Sequence, residues 1–130
     1  MEEKYFKQII GREGEDVAAR YLEKRDYKIL ERNFSCKRGE IDIIALKNDV
    51  IIFVEIKART SIKYGLPSEA VTEKKLKHLY KAAEFYLITR NLTNIDTRID
   101  VIEVYKNKDN YRLNHLKQVM WNNEKWLHKL

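Results

Sequence analysis

Glu40-Ile41-Asp42-Ile43-Ile44-Ala45-Leu46, then Lys47-Asn48-Asp49, then Val50-Ile51-Ile52-Phe53-Val54-Glu55-Ile56-Lys57 is the stretch that sets the architecture. Its first run alternates apolar and polar residues and then turns fully apolar. Asn48 and Asp49 tolerate positive φ and suit a tight turn. The second run is rich in β-branched residues, as expected of a strand buried on both faces. The two runs therefore read as a hairpin in the middle of a sheet. A two-residue loop at Asn48 and Asp49 places Lys47 opposite Val50. Extended along the strands, that register sets Asp42 opposite Glu55 and Glu40 opposite Lys57. Opposed Cβ atoms on neighbouring strands lie roughly 4.5–5.5 Å apart, so Asp42 and Glu55 can converge on one cation. Lys57 shares the face of Glu55 because strand side chains alternate.

Upstream, about Tyr5 to Arg25 carries Ile10, Val17, Ala18, Tyr21 and Leu22 at helical spacing, with Gly11 and Gly14 weakening the early turns. A short strand is expected from Tyr27 to Asn33, with Tyr27, Ile29 and Glu31 on one face. Downstream, Gly65-Leu66-Pro67-Ser68 breaks the pattern and offers a helix start. From Ser68 to Asn91, Leu76, Tyr80, Ala83 and Leu87 recur at helical spacing among lysines. Thr97 to Tyr105 is a further strand, Asn107 to Asn110 a turn, and Tyr111 to Leu116 pairs back. Gln118 to Leu130, with Met120, Trp121, Trp126, Leu127 and Leu130, suggests a short terminal helix whose tryptophans serve as packing anchors. The order α-β-β-β-α-β-β plus a small C-terminal helix makes an α/β sandwich, a mixed central β-sheet flanked by helices.

The 130 residues contain four Gly and one Pro and no interior linker, so one domain spans residues 1–130, with a core over about 9–117 and a tail over 118–130. Hydrophobic residues make up 44% and charged residues 35%, a balance that argues against disorder. Cys36 is the single cysteine, which excludes an intramolecular disulfide and favours a reducing compartment. Met1 to Phe6 lack the pattern of a signal peptide, and the apolar run Val50 to Val54 is too short to cross a bilayer. A cytoplasmic protein without a membrane partner is expected. The formal charge of +6 favours a polyanionic partner. Residues 72–90 hold five basic and two acidic side chains, and residues 104–130 six and two, so the positive charge is concentrated there.

Two facing carboxylates in apolar surroundings repel one another and lose solvation. A divalent cation offsets both effects. Hard oxygen ligands suit Mg²⁺, with Mn²⁺ as the alternative, and such an ion commonly takes one or two carboxylates plus a substrate phosphate. It can activate water against a phosphodiester while Lys57 steadies the charge that develops. The bland alternative is that Glu55 and Lys57 merely pair with Glu40 and Asp42 across an exposed sheet. Glu-x-Lys is a common tripeptide, but here it ends an apolar strand with an aspartate opposite.

Gly39-Glu40-Ile41-Asp42 followed by Phe53-Val54-Glu55-Ile56-Lys57-Ala58-Arg59 resembles the PD-(D/E)XK nuclease signature. More narrowly, the chain resembles the YraN-like family of small bacterial proteins, related to archaeal Holliday-junction resolvases. Gly11-Arg12-Glu13-Gly14-Glu15, Asn33, Gly65-Leu66-Pro67, Lys74 and Arg98-Ile99-Asp100-Val101 extend the match over about residues 9 to 117. The resemblance implies a restriction-endonuclease-like core, with Asp42 and Glu55 as metal ligands and Lys57 as the catalytic lysine. It also implies that Glu15 is an additional acidic residue at the site; by spacing alone Glu15 reads as a solvent-facing helix residue.

The expectation is a Mg²⁺-dependent endonuclease that hydrolyses DNA phosphodiester bonds, structure-specific for branched or junction DNA. Its alternative is a nucleic-acid-binding module that keeps the fold without turnover. Arg38, Arg59 and Thr60, near the ends of the site strands, are candidates for holding phosphates. Lys74, Lys77 or His78, and Lys81 form a helical stripe suited to a nucleic-acid backbone, against the reading of an ordinary solvated face. A symmetric cut of two strands would call for a homodimer.

Overall fold

The computed structural model describes residues 3–59 and 72–119. Helix α1 (Glu3–Lys24) leads into strands β1 (Lys28–Cys36), β2 (Gly39–Lys47) and β3 (Val50–Arg59), then helix α2 (Glu73–Thr89) and strands β4 (Asp96–Asn107) and β5 (Asn110–Leu116). This is the order expected from the sequence. The expected helix start at Ser68, Thr60, and the tail helix from residue 120 onward lie outside the described residues.

The strands stand in sequence order, β1-β2-β3-β4-β5. Each neighbouring pair is antiparallel except β3 and β4, which are parallel and are linked through α2. A parallel neighbour needs a crossover, and α2 lies on it. Apolar side chains on the two faces form two cores. Ala18, Ala19 and Leu22 of α1 pack with Ile43, Ile52 and Val54. Leu76, Leu79 and Ala83 of α2 pack with Ile44, Ile51 and Phe53 on the other face. Among the described residues, no helix is long and apolar enough to cross a membrane.

Both helices end without glycine. Tyr27 N–H donates to the Leu22 carbonyl at 3.0 Å and Asp26 N–H to that of Glu23 at 3.1 Å, while Asp26 takes φ 67°. At α2, Leu92 N–H donates to Leu87 at 2.9 Å and Asn91 N–H to Ile88 at 3.1 Å, with Asn91 at φ 53°. Each is a Schellman ending in which Asp or Asn occupies the left-handed position. Thr72 caps α2 in an extended conformation, its hydroxyl accepting from Lys75 N–H at 3.1 Å.

Strand β1 runs three residues past its expected end at Asn33, and the chain turns at Lys37 and Arg38. Its register shifts between Ile29, opposite Ala45, and Glu31, opposite Ile44. The intervening Leu30 is a bulge, and it turns Glu31 away from the face of Tyr27 and Ile29. Glu31 instead meets Arg90 at the end of α2, at 3.0 Å.

Candidate functional site

The β2–β3 hairpin forms through Asn48 and Asp49, both at positive φ (49° and 64°), as a two-residue turn of the primed kind. Pairing runs from Lys47↔Val50 to Ile43↔Val54, the register expected from the sequence. There the ladder stops. Ile56 N–H donates to Asp42 Oδ2 at 2.8 Å, so a side chain takes the place of a strand carbonyl. Glu40 is consequently not brought opposite Lys57; it pairs with Ser35 of β1.

A second irregularity lies on the other side of Asp42. Ile41 packs in the α2-side core and Ile43 in the α1-side core, although residues two apart on a regular strand share a face. The strand therefore turns over at Asp42. On β1, Arg32↔Ile43 and Phe34↔Ile41 bracket Asn33, which takes φ 57°. Asn tolerates this left-handed conformation better than most residues. Its amide then donates to Glu15 Oε1 of α1 at 2.9 Å.

Glu55 lies on the α2 face of β3 and is 5% exposed. Its Oε1 lies 3.7 Å from Lys57 Nζ and 3.4 Å from Lys75 Nζ. Burial foremost, then the neighbouring Asp42 charge, push the Glu55 carboxyl up to about 7, against the pull of Lys75 and Lys57. Burial likewise raises Asp42; the Ile56 N–H opposes the rise and the Glu15 charge adds to it. The three acids Glu15, Asp42 and Glu55 thus share one electrostatic neighbourhood. Glu15 is itself held by Arg32, whose guanidinium lies 3.1 Å from Oε1 and 2.6 Å from Asp16.

Helix α1 comes close to the strands here because residue 14 is glycine. A Cβ at Gly14 would lie 3.3 Å from Ala58 Cβ and 3.6 Å from Val104 Cβ. The adjoining Glu15 is thereby brought over the sheet.

The other expected residues are more dispersed. Arg38 is exposed in the β1–β2 turn, which packs against α2: a Cβ at Gly39 would lie 3.0 Å from the His78 carbonyl oxygen. Lys74, Lys77 and Lys81 are exposed on α2, and Lys81 is six residues beyond Lys75, about 9 Å along the axis. Arg59 ends β3, and its side chain, like Thr60, lies outside the described residues. Lys75 and Arg32 were not among the residues expected at the site. A lysine in the first turn after a Thr cap gives a weak signal, and its contact with Glu55 depends on how α2 docks.

Away from this site, Asp100 is fully buried and accepts from Arg98 Nε at 3.0 Å, His115 Nε2 at 2.8 Å and Gln118 N–H at 2.9 Å. His115 Nδ1 lies 2.9 Å from the Tyr21 hydroxyl of α1. Burial alone would raise the Asp100 carboxyl, but these donors hold it below its ordinary value. The Arg98–Asp100 pair thus sits inside a larger network that joins α1, β4 and β5.

Among the described residues, no three His, Cys, Asp or Glu side chains are grouped as a metal site. The Asp42–Glu55 pair nonetheless suits a hard cation that completes its shell with water and substrate oxygen, since Mg²⁺ commonly takes only one or two carboxylates. Glu55, buried and raised by desolvation and the Asp42 charge, and half-buried Asp42, raised by desolvation and the Glu15 charge, are the donor set such a cation would relieve.

The family described as "Uncharacterised protein family UPF0102" matches residues 14–104, a span that includes Glu15, Asp42, Glu55, Lys57 and Lys75. A UPF0102 protein of Caldanaerobacter subterraneus subsp. tengcongensis is 46% identical over 114 residues, covering 88% of this chain and 93% of its own. One from Caldicellulosiruptor saccharolyticus is 47% identical over 104 residues, covering 80% and 88% respectively. One from Clostridioides difficile is 50% identical over 103 residues, covering 79% and 89%.

Proposed function

The chain belongs to the UPF0102 family, and from the geometry of its paired acids we propose that it is a Mg²⁺-dependent nuclease that hydrolyses DNA phosphodiester bonds. The observation that carries this reading is the pair Asp42 and Glu55. They meet where the β2–β3 ladder ends, in surroundings that push Glu55 up to about 7. An exposed structural ion pair shows no such desolvation, whereas a bound divalent cation would offset it. The mixed sheet, with its antiparallel β1–β2–β3 meander and parallel β4 reached through α2, is on this reading a restriction-endonuclease-like core.

Asp42 and Glu55 hold the divalent ion, Mg²⁺ or Mn²⁺, which when bound supplies Lewis acidity toward phosphate oxygen and water. Asp42 is aimed by the Ile56 N–H, which leaves its other oxygen to the ion. Lys57, anchored on the same strand face as Glu55, stabilises the negative charge that builds on phosphorus oxygens. Glu15, oriented by Arg32 and Asn33, adds negative charge beside Asp42 and supports cation binding. Arg38, Arg59, Thr60, Lys74, Lys77 and Lys81 supply phosphate contacts around the site, and branched or junction DNA is the preferred substrate. Two copies of the chain would cut both strands of such a junction.

The test is cleavage of labelled duplex, flap, single-stranded and four-way-junction DNA in Mg²⁺, Mn²⁺ or EDTA. Metal-dependent cutting is expected to fall by at least about a hundredfold in Asp42→Asn and Glu55→Gln, more than loss of an outer partner costs. Asn at 42 can keep the bond to Ile56 N–H, so the fold should persist. Undiminished cutting by both purified variants would remove the assignment.

One observation favours a second reading, a DNA-binding module without turnover: Lys57 and Lys75 already neutralise Glu55. That reading predicts no cutting of any substrate and salt-sensitive binding that survives Asp42→Asn.

A further inference from the structure

The lysines of α2 do not behave alike. Lys74, Lys77 and Lys81 are exposed, whereas Lys75 turns toward the sheet and places Nζ 3.4 Å from Glu55 Oε1. That contact is loose by the standards of this protein. Lys106 meets Glu13 at 2.8 Å, Arg32 meets Asp16 at 2.6 Å and Arg90 meets Glu31 at 3.0 Å. Those distances are typical of charge-assisted hydrogen bonds, and 3.4 Å is well outside their usual range. Lys57 also lies beyond that range, at 3.7 Å from the same oxygen. The two lysines differ in their freedom to leave. Lys57 projects from β3 two residues from Glu55 and is 30% exposed, while Lys75 sits on the first turn of a separate helix and is 41% exposed.

Charge balance gives this arrangement a consequence. In their ionised forms Asp42 and Glu55 are matched by Lys57 and Lys75, while Arg32 is shared by Glu15 and Asp16, so the cluster carries at most one uncompensated negative charge. A divalent ion entering between Asp42 and Glu55 leaves the site with excess positive charge. Either a lysine must swing away or an anion must arrive, and a phosphodiester permits both at once. Resting on the cation-site reading above, we propose that Lys75 is an exchangeable counter-ion. In the free protein its ammonium stands against Glu55 in place of a metal ion, and it passes to a nucleic-acid phosphate when the divalent ion takes that place. It is a substrate-positioning residue, coupled to metal loading through Glu55.

The coupling predicts effects of opposite sign from one substitution. Lys75→Gln removes a competing charge, so the protein should bind Mn²⁺ alone about three- to tenfold more tightly by calorimetry, as for a partly exposed neighbouring charge. The same variant should lose one phosphate contact, lowering the log–log salt dependence of duplex binding by about 0.9. That loss should be seen in Ca²⁺, which supplies a hard divalent ion, and not in EDTA, where Lys75 stays on Glu55. Lys75→Arg keeps the charge and should restore both properties toward wild type. A purely structural ion pair would not tighten metal binding when broken. Unchanged or weaker Mn²⁺ binding by Lys75→Gln, with wild-type binding that depends on Asp42, overturns the counter-ion role and leaves the cation site standing. An equal salt dependence in Ca²⁺ overturns the hand-over to phosphate. Absence of Asp42-dependent Mn²⁺ binding in the wild type overturns both the role and the site.

Discussion

Glu55 is where the chain gives up stability for a site. Its carboxyl, pushed up to about 7 in the folded protein from an ordinary 4.5, binds its proton more tightly folded than unfolded. The associated stability is fully present below about pH 4.5 and is lost as pH rises through about 7. In EDTA, Glu55→Gln should therefore unfold later than wild type at pH 8, by roughly 1–3 kcal/mol, with the gap closing toward pH 5 in urea titrations. A gap that is absent at pH 8 would mean that Glu55 is not desolvated as described. Removing the second contributor should move the titration as well: in Asp42→Asn, the carboxyl carbon resonance of Glu55 should titrate at lower pH than in wild type. The Asn48-Asp49 turn made the register from Lys47↔Val50 to Ile43↔Val54 legible, but the ladder ends there, so Asp42 and Glu55 are not a paired position of the sheet. Lys75 was not legible, because a contact between a helix and a strand depends on docking that no local pattern encodes. Nor could periodicity show that β2 turns over at Asp42, since a left-handed Asn33 and a broken ladder are departures from period two.

The elements themselves were read from apolar spacing, and their ends were read less well. Both helices stop at Asp or Asn in the left-handed position rather than at Gly, so the usual glycine stop signal was missing. Asp26→Gly should relieve the steric cost of φ 67° while keeping the bonds from Asp26 and Tyr27 N–H. Thermal unfolding should show a gain of about 0.5–1 kcal/mol, the residue's release from strain outweighing the added freedom of the unfolded chain. A loss of stability would show that the Asp26 side chain contributes more than its backbone conformation costs. Strand β1 was extended beyond its expected end for a related reason. Leu30 bulges and Asn33 adopts positive φ, and both interrupt the alternation by which strand length is read.

At the scale of the molecule, the sheet and its two helices separate two polar clusters with different tasks. The Asp100 network is closed: Arg98, His115 and Gln118 satisfy its carboxylate, and Tyr21 brings in α1. Asp100→Ala leaves Arg98 and His115 without their buried partner and should cost about 3–5 kcal/mol in chemical denaturation. A change under about 1 kcal/mol would show that the network does not hold α1 to the sheet. The Asp42–Glu55 cluster is open by contrast, with loose lysine contacts and raised carboxyls. The α-β-β-β-α-β-β order was legible throughout the described residues, since each apolar run had the length and spacing of its element. What places Glu15 over the sheet is Gly14, whose bare backbone lets α1 approach Ala58, and no spacing rule signals so close an approach. The most direct test of the whole account is calorimetric titration of Mg²⁺ into wild type and Asp42→Asn at pH 6 and pH 8. One wild-type site is expected, about tenfold tighter at pH 8 as Glu55 gives up its proton, and no such site in the variant. Binding that ignores both pH and Asp42, or no binding by the wild type, would contradict it.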